Sequence, residues 1–177
     1  MASPGTVSFV DFTGMASTEE IEALDRVFGS GQLILGNEVS FFESTWAERC
    51  GCNYAVGVGN GLDAIEIGLR SLGIGPGDEV ITTPMTAVAT VLGIVRAGAT
   101  PVLADIDPKT ALMSLSSVDR CLTPRTKAVL LVHLYGQMRD LHEWKSFCET
   151  HELALIEDCA QSHDALDEGR VAGSWGE

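Results

Sequence analysis

The sequence predicts an α/β protein in which a mostly parallel central sheet is flanked by helices. Segments with helical and strand-like apolar patterns alternate along the chain at least four times, which is typical of a parallel sheet covered by helices on both faces. The strand-like segments are rich in Val, Ile and Leu and lack polar alternation, as expected where both faces of a sheet are buried. The 177 residues are enough for one medium-sized domain.

The spacing of apolar residues gives the order of the elements. Two helices come first, over about 18–28, with Ser17 or Thr18 as the N-cap, and over about 38–50. Short buried strands are predicted over five segments: 54–58, 79–82, 102–104, 128–132 and 153–156. The remaining helices follow the first four strands, over about 62–72, 86–97, 116–122 and 141–151. Thr86 is the expected N-cap of its helix, since threonine is a common capping residue.

The charge of the chain argues against two classes of partner. Eleven basic and 25 acidic side chains give a net charge of −14, which repels nucleic acid and anionic membrane surfaces. A small phosphorylated ligand stays possible, because a helix N-terminus binds phosphate without basic side chains.

The chain shows no sign of export or of a membrane span. Met1–Phe9 lacks the basic start and apolar core of a signal peptide, and the apolar stretch 86–104 is interrupted by Arg96 and Pro101. Five scattered cysteines, among them a C-x-C pair rather than C-x-x-C, indicate reduced thiols. We therefore expect a cytoplasmic protein, and no metal site is predicted.

One polar cluster at a strand end has the features of a phosphate site. Gly59 and Gly61 come just before a helix that is expected to begin at Leu62. The glycines let a ligand approach the backbone closely, and the free amides and dipole of the helix attract an anion. The alternative is a glycine turn followed by Asp63 as a helix cap, and the motif alone does not decide between them. A Rossmann fingerprint is disfavoured, because Leu62 stands where its third glycine belongs.

A second cluster, Glu157-Asp158, ends the last predicted strand. At least one of these carboxylates must point into the ligand crevice, where it needs a cationic or hydrogen-bonding partner. The pyridine nitrogen of pyridoxal phosphate is one such partner. The alternative is a pair of solvated acids with Gln161 and His163 satisfied locally, and His133 is expected to be an ordinary core histidine.

In order along the chain, these clusters resemble the DegT/DnrJ family of sugar aminotransferases, which depend on pyridoxal phosphate. The resemblance runs from about Val7 to Gly176 and is carried by ILGNEVSFFE, VGVGNGLDAIEIGLRSLGIGPGDEVITTP, TAVAT, RAGATPVLADIDP, LTPRTKAVLLVHLYGQ and IEDCAQSH. It implies the large domain of the fold type I transferases, with active sites at a homodimer interface.

The resemblance also implies roles for matching residues. Asp158 would pair with the pyridine nitrogen, Gln161 would hydrogen-bond the phenolic oxygen, and the amides of Gly61 and Leu62, with that of Asp63, would hold the phosphate. Many members place an aromatic or histidine side chain over the ring at the position of Ala87, so stacking here is expected to be weaker or to come from a neighbour such as Met85. His163 and Tyr135 are assigned only supporting or substrate-contacting roles.

The family continues past GSWG to a phosphate-binding serine and the Schiff-base lysine, whereas this sequence stops at Glu177. Its three lysines, Lys109, Lys127 and Lys145, lie in other contexts, so no catalytic residue is assigned. We expect residues 1–177 to form a pyridoxal-phosphate-binding large domain that is incomplete at its C-terminus, without the small C-terminal domain, and to be inactive alone.

The leading functional hypothesis is amination of a nucleotide-linked keto-deoxysugar, with glutamate as the amino donor, in antibiotic or surface-polysaccharide sugar pathways. A second is a truncated, non-catalytic relative that pairs with a full-length aminotransferase. A third is a sugar dehydratase relative that lacks the lysine and binds the cofactor non-covalently. A nicotinamide-dependent oxidoreductase is disfavoured by the incomplete glycine fingerprint.

Overall fold

The structure is a computed structural model that describes residues 17–138 and 140–177. Met1–Phe9 and the start of the motif series near Val7 lie outside the described residues. Four parallel strands form the central sheet in the order β2–β1–β3–β4. They are β1 (Glu79–Thr82), β2 (Thr100–Leu103), β3 (Thr126–Val132) and β4 (Ala154–Asp158). The predicted fold class is confirmed.

Six α-helices are found in the described part of the chain: α1 (Thr18–Ser30), α2 (Asn37–Cys50), α3 (Gly61–Ser71), α4 (Val88–Ala97), α5 (Leu115–Cys121) and α6 (Leu141–Thr150). A 3₁₀ turn spans Leu134–Gly136, and a two-residue hairpin joins β5 (Leu166–Asp167) to β6 (Arg170–Val171). Among the described residues, no helix has both the length and the apolar character needed to cross a membrane.

Both faces of the sheet are buried, each under its own pair of helices. Strand residues that include Val80, Leu130 and Ile156 pack on one face with side chains of α3 and α4. Those that include Val129 and Leu155 pack on the other face with side chains of α5 and α6. Because successive strand residues point to opposite faces, the continuous apolar runs of the sequence fill two cores at once.

Local side-chain chemistry starts several of the helices. Ser17 caps α1 through a reciprocal capping box with Glu20, as the sequence predicts. The expectation that Thr86 caps the next helix of the sheet was wrong, because α4 begins at Val88 with Ala87 as its N-cap. The Thr86 hydroxyl instead hydrogen-bonds the Thr90 hydroxyl at 2.8 Å.

The prediction of a strand over residues 54–58 was also wrong. The segment joins no sheet within the described residues, and Tyr54 and Val56 are 88% and 78% exposed. One of its amides, that of Gly57, donates to the Glu43 carboxylate at 2.7 Å instead of to a neighbouring strand. Apolar composition favours an extended backbone, but a strand also needs a hydrogen-bonding neighbour.

Helices α3 and α4 approach each other closely at Gly93, which is buried. A Cβ atom built there would lie 2.6 Å from Ile65 Cγ2 and 3.3 Å from the Leu62 carbonyl oxygen. The backbone of α4 therefore fixes the position of the first turn of α3.

We expect Gly93→Ala to lower the free energy of unfolding by about 1–3 kcal/mol, because an extra methyl group overpacks this contact. Gly68→Ala is the matched control, since Gly68 also lies inside a helix and a Cβ there meets nothing within 4 Å. That control should gain about 0.5–1 kcal/mol from helix propensity. Urea unfolding followed by circular dichroism measures both, and equal shifts would contradict the role of Gly93.

Candidate functional site

The two acidic residues at the end of β4 point to opposite faces of the sheet. Asp158 points to the α3/α4 side, where its Oδ2 accepts a hydrogen bond of 2.8 Å from the Thr90 hydroxyl. Its Oδ1 accepts from the Ala160 amide at 3.2 Å. Glu157 points to the α5/α6 side and contacts a different set of residues. The two carboxylates therefore have different hydrogen-bond partners.

The Glu157 carboxylate is buried and accepts four hydrogen bonds. Oε1 accepts from the amides of Trp175 (2.8 Å) and Gly176 (2.9 Å), and Oε2 accepts from the Gly173 amide at 3.0 Å. His133 Nε2 lies 2.9 Å from Oε2, and both side chains are at most 2% exposed. Glu157 thereby ties the 173–176 segment to the sheet.

Burial alone would raise the pKa of Glu157, since a charge loses solvation in the interior. The hydrogen bonds from His133 and from the amides of Gly173, Gly176 and Trp175 outweigh this effect. The pKa of Glu157 is therefore lowered from its ordinary value.

A cleft of about 400 Å³ lies beside Asp158 and reaches the start of α3. It is lined by residues of α2 and of the extended segment that follows it, and by residues of the 157–160, 163–164 and 171–173 segments. Its lining includes Trp46, Tyr54, Gly61, Asp158 and His163. The proposed phosphate site and the proposed pyridine partner therefore share one cleft.

The first turn of α3 forms the anion-binding end of this cleft. Asn60 is the N-cap, and its Oδ1 accepts from the Asp63 amide at 2.9 Å. The Asp63 amide is thus already paired, and its side chain accepts from Asn60 and from Arg96. The amides of Gly61 and Leu62 occupy first-turn positions that have no acceptor within the helix, so they are the ones suited to a phosphate.

Three acidic residues belong to the lining of the cleft, and their carboxylates differ in their partners. Glu157 has His133, and Asp164 is paired with Arg49 at 2.5 Å. Asp158 forms no ion pair within the described residues and is held only by neutral donors, the Thr90 hydroxyl and the Ala160 amide. A positively charged group of a ligand would therefore pair with Asp158.

Of the remaining site residues, the structure places only His163 in the lining of this cleft. His163 lines it and meets Trp46 edge-on, with ring centroids 5.7 Å apart. Gln161 Oε1 accepts from the Tyr135 amide at 2.9 Å. Tyr135 itself is exposed, with φ +57°, and Ala87 is exposed before α4. Of the predicted site residues, the cleft lining within the described part of the chain includes Gly61, Asp158 and His163, but not Leu62, Asp63, Ala87, Tyr135 or Gln161.

Sequence reasoning missed two residues of the site, Asn60 and Thr90. Asn60 stands three residues before Asp63, a spacing that matches an N-cap and the helical residue it pairs with. Thr90 lies four residues after Thr86, and although Thr86 precedes α4, the two hydroxyl oxygens lie 2.8 Å apart. Each spacing was a usable signal.

His133, Glu157 and Cys159 bring one potential metal ligand each to within 4.8 Å of the others. The two Glu157 oxygens already accept four hydrogen bonds. Burial raises the pKa of the Cys159 thiol to about 12, so the thiol is protonated at neutral pH and a poor metal ligand. We interpret His133 and Glu157 as a hydrogen-bonded structural pair beside Cys159.

A parallel sheet with a cleft at the carboxyl end of one strand is typical of a ligand-binding α/β protein. The family profile of the DegT/DnrJ/EryC1/StrS aminotransferases matches residues 15–177. The chain belongs to this family.

Individual relatives agree with this assignment. The chain is 44% identical to a dTDP-3-amino-3,4,6-trideoxy-alpha-D-glucose transaminase from Micromonospora megalomicea subsp. nigra over 154 residues, which is 87% of the chain and 41% of the relative. Among solved structures, DesV of S. venezuelae, in complex with a ketimine intermediate, superposes with a TM-score of 0.86 and 41% identity, covering 88% of this chain and 42% of that one.

A third relative has a cofactor bound. NtdA from Bacillus subtilis with bound cofactor PMP gives a TM-score of 0.85 and 30% identity, covering 97% of this chain and 40% of that chain. The chain therefore spans less than half the length of each of these relatives.

We expect Glu157→Gln to lower the free energy of unfolding at pH 7 by about 2–4 kcal/mol, because it removes a buried ionised acceptor. Since the folded pKa of Glu157 is lowered, this stabilisation is present above the unfolded pKa and is lost as the pH falls through the folded pKa. The difference from wild type should therefore shrink in acid. Urea unfolding between pH 7 and pH 3 measures it.

Glu149→Gln is the control, because Glu149 is exposed on α6. It should leave stability nearly unchanged at every pH. A Glu157→Gln variant as stable as this control at pH 7 would contradict the assigned role of the buried carboxylate.

Proposed function

We propose that the protein containing this chain is a pyridoxal-phosphate-dependent aminotransferase that converts a nucleotide-linked keto-deoxysugar to an amino sugar, with glutamate as the amino donor. The observation that carries the proposal is Asp158, the cleft carboxylate that has no cationic partner in the described part of the chain. It shares its cleft with Gly61, the first residue of α3.

The residues of the cleft fit the cofactor from both ends. The amides of Gly61 and Leu62 would hold the phosphate at the positive end of the helix dipole, and Asp158 would accept a hydrogen bond from the protonated pyridine nitrogen. Gln161 Oε1 is occupied by the Tyr135 amide, which leaves the Gln161 amide nitrogen to donate to the phenolic oxygen. When bound, pyridoxal phosphate supplies a protonated ring that withdraws electrons from the reacting carbon.

The other assigned residues have smaller roles in this proposal. His163, packed against Trp46 at the cleft, would support the site or contact the substrate, and Tyr135 would reach the substrate from its exposed position. Ala87 offers no aromatic surface for stacking on the cofactor ring.

The sugar substrate is proposed from the relatives, of which the Micromonospora protein is named as a transaminase of a dTDP-linked amino sugar. With a net charge of −14, neither nucleic acid nor a membrane surface is proposed as a partner. Five cysteines are free thiols, which supports a reducing, cytoplasmic location.

A homodimer is proposed as the working assembly. The apolar side chains of α1, including Ile21, Leu24 and Phe28, are 54–70% exposed, and α1 has no buried residue. They recur at helical spacing and form one apolar side of α1. Such a surface is typical of a protein–protein interface.

We propose that residues 1–177 are the N-terminal part of a large domain whose Schiff-base lysine and small domain lie further along a longer chain. The protein from its native source, treated with pyridoxal phosphate and borohydride, should then have an intact mass well above 18.8 kDa with one covalent cofactor. A mass equal to that of this chain, without an adduct, would favour the truncated, non-catalytic relative.

We expect the chain itself to bind pyridoxal phosphate without a covalent bond, as measured by absorption and fluorescence titration. Asp158→Asn should weaken this binding at least tenfold, because it removes the charge that pairs with the pyridine nitrogen. Asp119→Asn, which removes an exposed charge on α5, is the control and should bind like wild type. Equal binding by wild type and Asp158→Asn would contradict the proposed function.

A further inference from the structure

Asp158 is the end of a chain of three hydrogen-bonding side chains. The Thr86 and Thr90 hydroxyl oxygens lie 2.8 Å apart, and Thr90 Oγ1 lies 2.8 Å from Asp158 Oδ2. Thr90 is fully buried, with no exposed surface. A buried threonine in a helix commonly returns its hydroxyl to the carbonyl four residues earlier, whereas here the hydroxyl reaches across to the end of β4.

The direction of each hydrogen bond follows from the carboxylate. An ionised carboxylate only accepts hydrogen bonds, so the single hydroxyl hydrogen of Thr90 is used on Asp158. Thr90 must then accept at its oxygen, and the hydrogen between the two threonines comes from Thr86. The order is Thr86 to Thr90 to Asp158, and hydrogen bonds aligned in this way strengthen one another.

The other carboxylate oxygen is fixed separately by the Ala160 amide. One donor on each oxygen fixes the plane of the carboxylate as well as its position. The branched Cβ of threonine leaves few χ1 rotamers in a helix, and the hydrogen bond to Asp158 holds the Thr90 hydroxyl in one of them. The remaining lone pairs of Asp158 are then available on the side of the cleft.

We propose that Thr86 and Thr90 are positioning residues that orient Asp158 toward the cofactor ring. This inference rests on the proposed function, because Asp158 is the assigned partner of the pyridine nitrogen. Neither threonine is assigned a contact with the cofactor; both act through the carboxylate.

The test is the dissociation constant of pyridoxal phosphate, measured by absorption titration of the whole chain. Thr90→Val keeps the shape and removes the donor, and binding should weaken about tenfold. Thr90→Ser restores the hydroxyl and should return binding to within about threefold of wild type. Thr86→Val, at a half-buried position, should weaken binding by about threefold, because it acts only through Thr90.

Thr82→Val is the matched control. Thr82 is also fully buried, and its hydroxyl donates to the Leu130 carbonyl at 2.9 Å rather than to Asp158. If Thr90→Val binds no more weakly than Thr82→Val, the proposal is overturned. If Thr90→Val does not fold, Thr86→Val decides by the same comparison with Thr82→Val.

A double-mutant cycle separates positioning from general damage. In the Asp158→Asn background, Thr90→Val should cause little further loss, because the group through which it acts has been changed. A full additional loss of about tenfold would show that Thr90 acts independently of Asp158 and would overturn the proposal. Failure of wild type itself to bind would overturn the proposed function, whereas normal binding with an unaffected Thr90→Val overturns only the positioning role.

Discussion

The alternation of side chains along β4 decides the arrangement of the whole site. Neighbouring residues of a strand point to opposite faces, so Glu157 and Asp158 lie one residue apart in the chain but on different sides of the sheet. Glu157 binds the amides of the 173–176 segment, and Asp158 faces α4 and the cleft. A shift of β4 by one residue would exchange these environments and leave both carboxylates without their donors.

The same strand depends on a close backbone contact at the end of the described chain. A Cβ atom at Gly176 would lie 2.4 Å from the Leu155 carbonyl oxygen, and the Glu177 amide donates to that oxygen at 2.9 Å. The 173–177 segment thus lies directly against β4, and Trp175 is buried in the core below it. The hydrogen bonds of Glu157 and the packing of Trp175 both stabilise the position of the 173–177 segment against β4.

Packing, more than surface charge, holds α3 against α4. Arg96 pairs with Asp63 at 3.1 Å and with Glu66 at 2.7 Å, but its side chain is 54% exposed. Exposed ion pairs of this kind are worth about 0–1 kcal/mol each. The contact at Gly93 lies in the buried part of the same interface, where one added methyl group costs more than that. The buried contact therefore contributes more to the association of the two helices than either ion pair does.

Most of the fold could be predicted from the sequence, because each buried strand and each amphipathic helix has its own local spacing of apolar residues. Prediction from the sequence failed where the local structure depends on residues that are far away in the chain. The 54–58 segment has the composition of a strand, but its surroundings do not supply a neighbouring strand within the described chain. Thr86 has the chemistry of a cap, but a hydroxyl one turn later offers it another partner.

In the candidate site, too, short motifs could be recognised in the sequence, whereas contacts between residues far apart in the chain could not. The acidic pair and the glycine turn are visible in the sequence, because each is a short motif with its own chemistry. The different roles of Glu157 and Asp158 depend on His133, Thr90 and the 173–176 segment, which are far away in the chain. Only the folded arrangement shows which carboxylate has no positive partner among the residues that the structure describes.

The charges of the cleft restrict what it can hold. Its lining contains no lysine or arginine within the described residues, so an anionic group must rely on the amides and dipole at the start of α3. At the other side, Asp158 favours a cation or a protonated nitrogen. A purely anionic ligand would be repelled by this carboxylate, and a purely cationic one would leave the amides unused. A compact ligand that carries a phosphate and a protonated ring nitrogen at separate positions would use both ends of the cleft, which is consistent with the proposed pyridoxal phosphate, since that cofactor has both groups on one ring.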